Sequence, residues 1–71
     1  MEIHIRFNHG YMTPIEIAET EIFRVIEPMK RWKIARDETG YCYLRVWVNK
    51  WELEILRQAA ENTDCTIIEY G

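Results

Sequence analysis

Apolar and polar positions alternate from the first residue of this chain. Over residues 1–8, Ile3, Ile5 and Phe7 point one way and His4, Arg6 and Asn8 the other, the period-two pattern of a half-buried strand. Asn8-His9-Gly10 ends that run. Thr13-Pro14-Ile15-Glu16 then has the make-up of a helix start, with Thr13 as N-cap, Pro14 at the first helical position and Glu16 placed to close a capping box. Beyond it Ile15, Ala18, Ile22, Val25, Ile26 and Met29 recur at helical spacing and predict one amphipathic helix, with Ile17 and Phe23 off the stripe. Pro28 should end or kink it near Glu27. A rival reading pairs residues 11–18 as a second strand around His9-Gly10, since Ile15 and Ile17 also alternate, although Pro14 and the capping box favour the helix.

The second half is patterned as clearly. Residues 32–37 form a short strand candidate, and Glu38-Thr39-Gly40 turns into residues 41–48 to give a hairpin. In that second arm Cys42, Leu44, Val46 and Val48 share one face, while Tyr41, Tyr43, Arg45 and Trp47 share the other. Asn49 and Glu52 make a second capping box, and Trp51, Leu53, Ile55, Leu56, Ala59 and Ala60 give the helix behind it a wide apolar side. Asn62-Thr63-Asp64 stops that helix, and residues 65–70, apolar at Ile67 and Ile68, supply a last strand.

Strand, helix, strand, strand, helix, strand in one unit, residues 1–71, predicts an α+β fold of the ferredoxin-like βαββαβ kind: a four-stranded antiparallel sheet with both helices on one face. In the 4-1-3-2 order usual for that topology the first and third strands are central. His4, Arg6, Tyr41, Tyr43, Arg45 and Trp47 then share the middle of the open face, with Lys33 to one side. Glu16, Glu19, Glu21, Glu27, Glu52, Glu54 and Glu61 fall on the helices, so an acidic back opposes a locally basic, aromatic front.

At 71 residues only a small core is available, and 48% hydrophobic with 30% charged residues is the composition of a folded domain. A net charge of -3 removes the simple argument for a basic nucleic-acid binder but leaves room for a local basic face. No run approaches the roughly 20 apolar residues of a membrane span, and the N-terminus lacks a signal-peptide layout. A cytoplasmic protein without membrane contact is therefore expected, with Cys42 and Cys65 as reduced thiols.

Little points to catalysis. His4, His9, Cys42 and Cys65 are the only soft metal ligands and have no metal-binding spacing, so no metal or other cofactor is expected. Cys42 and His4 fall on opposite faces, which removes a thiol-imidazole pair, and the chain contains no serine. The three glycines are isolated and form no phosphate loop.

Gly40-Tyr41-Cys42-Tyr43-Leu44 resembles part of the third-strand consensus of RNA-recognition-motif domains, in which a glycine precedes two alternating aromatics that contact bases or sugars. The resemblance covers one strand and its turn, and implies stacking roles for Tyr41 and Tyr43. It departs from the consensus at Thr39, where that family has a basic residue, at Val46, where it has an aromatic, and at His4 on the first strand. Alternating aromatics also arise from strand propensity alone. Three of them beside Arg6 and Arg45 favour a contact surface, because Tyr, Trp and Arg dominate interface hot spots.

The expected function is a small non-enzymatic regulatory or inhibitor-type protein that binds another protein. Its contact surface is His4, Arg6, Tyr41, Tyr43, Arg45 and Trp47, or else the acidic helical face. Inhibitors that phages and mobile elements direct against host complexes are one such class. A single-stranded RNA-binding module using the same sheet is the alternative, and a homodimer with sheet faces together, binding a ligand at the seam, is the third reading.

Overall fold

The computed structural model describes residues 1–70. Strand β1 is Glu2–Phe7 and is followed by two short helices, α1 at Pro14–Ala18 and α2 at Glu21–Ile26, and a 3-10 turn at Glu27–Met29. A hairpin of β2 (Trp32–Arg36) and β3 (Cys42–Trp47), helix α3 (Lys50–Thr63) and strand β4 (Cys65–Glu69) complete the chain. The four strands form one sheet in the order β2-β3-β1-β4, and every neighbouring pair is antiparallel.

Alternation dictates the core. Ile3, Ile5 and Phe7 of β1 and Cys42, Leu44 and Val46 of β3 turn to the helix side, where they meet Ile17, Ile22, Phe23, Ile26, Leu53, Leu56 and Ala60 in a single cluster. Trp32 reinforces it from β2 by packing edge-on against Phe23, ring centroids 4.8 Å apart.

Two expectations for the helices are corrected. The first helix is not continuous, because Thr20 sits extended at φ -76°, ψ 155° and caps a new helix, accepting from the Phe23 amide at 3.3 Å while its hydroxyl donates to the Ile17 carbonyl at 2.7 Å. The break resets the helical phase. Ile17 and Phe23, placed off the stripe by uninterrupted spacing, are buried, whereas Ile15 is 74% exposed. The strand reading of residues 11–18 falls as well, since both halves of the Thr13-Glu16 capping box form and Pro14 opens α1.

Helix α3 follows its caps as predicted, with the Asn49-Glu52 box at one end and Asp64 in the left-handed region at the other. Its apolar side is narrower than expected. Leu53, Leu56 and Ala60 face the core, but Trp51 is 79% exposed and Ile55 45%, because positions two before and two after Leu53 lie on the far side of the helix.

Candidate functional site

The open face of the sheet carries the predicted residues. Registers pair Glu2 with Trp47 and His4 with Arg45 across β1 and β3, Lys33 with Arg45 across β2 and β3, and His4 with Ile68 across β1 and β4. His4, Arg6, Tyr43, Arg45 and Trp47 therefore share one surface, to which Glu2, Thr66 and Ile68 also belong by alternation. Tyr41, just before β3, joins through its hydroxyl, which donates to the Phe7 carbonyl at 2.5 Å.

Contacts within this face run through two centres. In the first, the Glu2 carboxylate accepts from Arg45 Nε at 2.8 Å and lies 2.7 Å from His4 Nε2. The Arg45 bond, seconded by His4, holds the Glu2 carboxyl below the usual carboxylate range, and the same bond raises Arg45 further. The His4 ring lies 3.9 Å from Tyr70 and 5.1 Å from Tyr43, centroid to centroid, and the Arg45 guanidinium stands 5.2 Å over Trp47.

In the second centre Arg6 reaches over both tyrosines, 5.3 Å from the Tyr41 ring and 4.9 Å from the Tyr43 ring, with Asp37 at 3.6 Å on its other side. Asp37 also builds the hairpin turn. One of its carboxylate oxygens accepts from the Thr39 hydroxyl at 2.6 Å, the Thr39 amide at 2.9 Å and the Tyr41 amide at 3.1 Å, and the Thr39 bond leads in holding its carboxyl below the usual range. Tyr11, from the loop after β1, meets Tyr41 edge-on at 5.7 Å.

The front is thus less basic than the charge pattern implied. Arg45 is paired with Glu2 and Arg6 with Asp37, and Lys33 is exposed and enters no ion pair among the described residues. Sequence reasoning missed Glu2, Tyr11, Ile68 and Tyr70. Glu2 was within reach, standing two residues before His4 on an alternating strand, and Ile68 and Tyr70 needed only the β1-β4 register. Tyr11 gave no periodic signal, since it belongs to a loop.

Cys42 and Cys65 are both free, Cys42 buried beneath β3 and Cys65 half-buried. Burial pushes the Cys65 thiol up to about 11. Among the described residues no three His, Cys, Asp or Glu side chains cluster to hold a metal ion, and no helix is long and apolar enough to cross a membrane. The geometry defines a small α+β domain whose open sheet face carries aromatic rings and ion-paired arginines. The chain matches no protein-family model, no curated protein and no solved structure.

Proposed function

We propose that this chain is a non-enzymatic protein-binding module of regulatory or inhibitor type, ferredoxin-like in topology, which presents its open sheet face to a partner protein. The β2-β3-β1-β4 order is the 4-1-3-2 order read from the opposite edge, with the first crossover broken into two short helices, and this supports the topological reading. The two free thiols accord with a reducing, cytoplasmic setting.

One observation carries the reading: the cations and rings of the face are already matched to one another. With Arg6 over Tyr41 and Tyr43, and Glu2 holding Arg45 and His4, the side chains are fixed before any partner arrives, so binding costs less side-chain entropy. The same matching disfavours the RNA reading. A base stacking on Tyr43 would have to displace Arg6, and a phosphate would have to compete with Glu2 or Asp37 for its arginine. A second location for the partner is favoured by Trp51 and Ile55, which project from the outer side of α3 next to Glu54.

Affinity capture from the source cells, with Tyr43→Ala and Trp47→Ala compared against the natural chain, tests the proposal. A protein partner recovered by the natural chain and lost with both variants is expected. A partner that survives both but is lost with Trp51→Ala moves the contact to α3. Co-purifying RNA that is released by salt would replace the proposal with the RNA reading.

A further inference from the structure

The sheet has two edges, β2 and β4, and they are unlike in charge. Along β4 the one nearby cation, Arg57, is already paired with Glu69, and Glu61 and Asp64 leave that edge acidic. At the β2 edge, residues 30–36 contain Lys30, Arg31, Lys33 and Arg36 and no acid, in a protein whose net charge is -3. All four cations are exposed. The Arg31 guanidinium donates to both carboxylate oxygens of Glu52, at 2.8 Å and 2.6 Å, but Lys30, Lys33 and Arg36 enter no ion pair among the described residues. Lys33 lies opposite Arg45, an unfavourable pairing of like charges, and Glu2 answers only the arginine.

The backbone of this edge is also unmatched. The Trp47 amide donates to the Arg31 carbonyl at 2.9 Å and the Asp37 amide to the Tyr41 carbonyl at 3.0 Å. Antiparallel alternation between those two bonds turns the amides and carbonyls of Trp32, Ile34 and Arg36 away from β3. A row of alternating donors and acceptors is the template for a further peptide strand. The phosphates of a nucleic acid would meet the donors and leave the carbonyls unmatched. On the helix side of the edge Trp32 and Ile34 are only half-buried against the core, so an added strand also covers apolar surface.

We propose that the β2 edge takes an extended acidic segment of a partner protein as an added strand, with its carboxylates opposite Lys33 and Arg36. By alternation Lys33 faces the open side of the sheet and Arg36 the helix side, so the segment carries acids at positions i and i+3 and apolar residues opposite Trp32 and Ile34. The cations that draw such a strand also keep two copies of this edge apart. The contact rests on the same protein-binding reading but uses a different surface. A peptide can stand in for the partner, so loss of capture with Tyr43→Ala and loss of strand addition at β2 are separate results.

The probe is a capped peptide, Thr-Glu-Thr-Val-Glu-Val-Thr, titrated into the full chain at low salt and followed by NMR amide shifts and hydrogen exchange. Laid antiparallel on β2, its glutamates fall opposite Arg36 and Lys33 and its valines opposite Ile34 and Trp32. Binding is expected, with the Trp32, Ile34 and Arg36 amides slowed in exchange and those of β4 unchanged. Lys33→Glu and Arg36→Glu each weaken it about fivefold or more, whereas Arg57→Gln, at the far edge, leaves it as it was. The doubly reversed variant should instead bind the peptide with lysine at both glutamate positions, a gain that an unfolded variant would not show. No binding at millimolar peptide overturns the proposal, as does binding that leaves the Ile34 amide exchanging as before. A stronger response at these residues to a short oligothymidylate also overturns it and assigns the edge to nucleic acid.

Discussion

Glu2 illustrates what a single side chain does in this fold. It accepts from His4 and Arg45 together and so ties the two central strands across the open face. Its carboxyl and that of Asp37 lie below the usual range, so each binds its proton less readily folded than unfolded. Their stabilisation is complete above the ordinary carboxylate range and is lost as pH falls through it. Glu2→Gln should therefore lower stability at neutral pH, change it little at low pH, and so flatten the acid limb of a stability-against-pH curve measured by circular dichroism. Tyr41→Phe removes the bond to the Phe7 carbonyl and should cost about 1 kcal/mol in urea unfolding. Cys65, half-buried with its thiol raised to about 11, should react with iodoacetamide at neutral pH far more slowly than an unfolded thiol.

At the scale of elements, the decisive position is Thr20. Its hydroxyl both accepts from Phe23 and donates to Ile17, and that local bonding is what divides the first crossover into α1 and α2. Thr20→Ala should destabilise the domain by about 1 kcal/mol, a fall of roughly 4–8 °C in Tm for a chain of this size. The hairpin depends on Gly40 at φ +87°, and with nothing within 4 Å of a Cβ there, the cost of Gly40→Ala is backbone strain alone, about 1 kcal/mol. Leu56→Ala, at a fully buried position of α3, should cost roughly 2–5 kcal/mol. Calorimetry on the three variants should set the cavity apart, by its larger loss, from the lost cap and the strained turn.

For the whole molecule, one core cluster and the partly buried side chains packed on it join all four strands to the helices, and among the described residues no helix or strand covers the sheet's other face. A small domain buries little, so losses in that cluster are felt globally. Trp51 is outside it. Trp51→Ser should leave stability within about 0.5 kcal/mol, and a thermal melt that falls by much more would show that Trp51 packs against something the fold requires.

Which parts were legible in advance follows from the range of the forces involved. Strand alternation and capping boxes are local, so β1, β3 and α3, and with them the shared face of His4, Arg6, Tyr43, Arg45 and Trp47, could be read from residues 1–8, 41–48 and 49–63. The first helix misled because Ile15, Ala18, Ile22, Val25, Ile26 and Met29 fit one uninterrupted helix, while the extended backbone at Thr20 shifts the phase and buries Ile17 in place of Ile15. The sequence by itself determined the alternating strands, the helix caps and therefore the α+β layering, since each depends on neighbours a few residues away. Only the tertiary structure decided that Glu2 and Asp37 neutralise the arginines of the open face, that Tyr70 stacks on His4, and that Arg57 of α3 pairs with Glu69 of β4, because each joins side chains brought together by strand register and helix packing rather than by spacing along the chain.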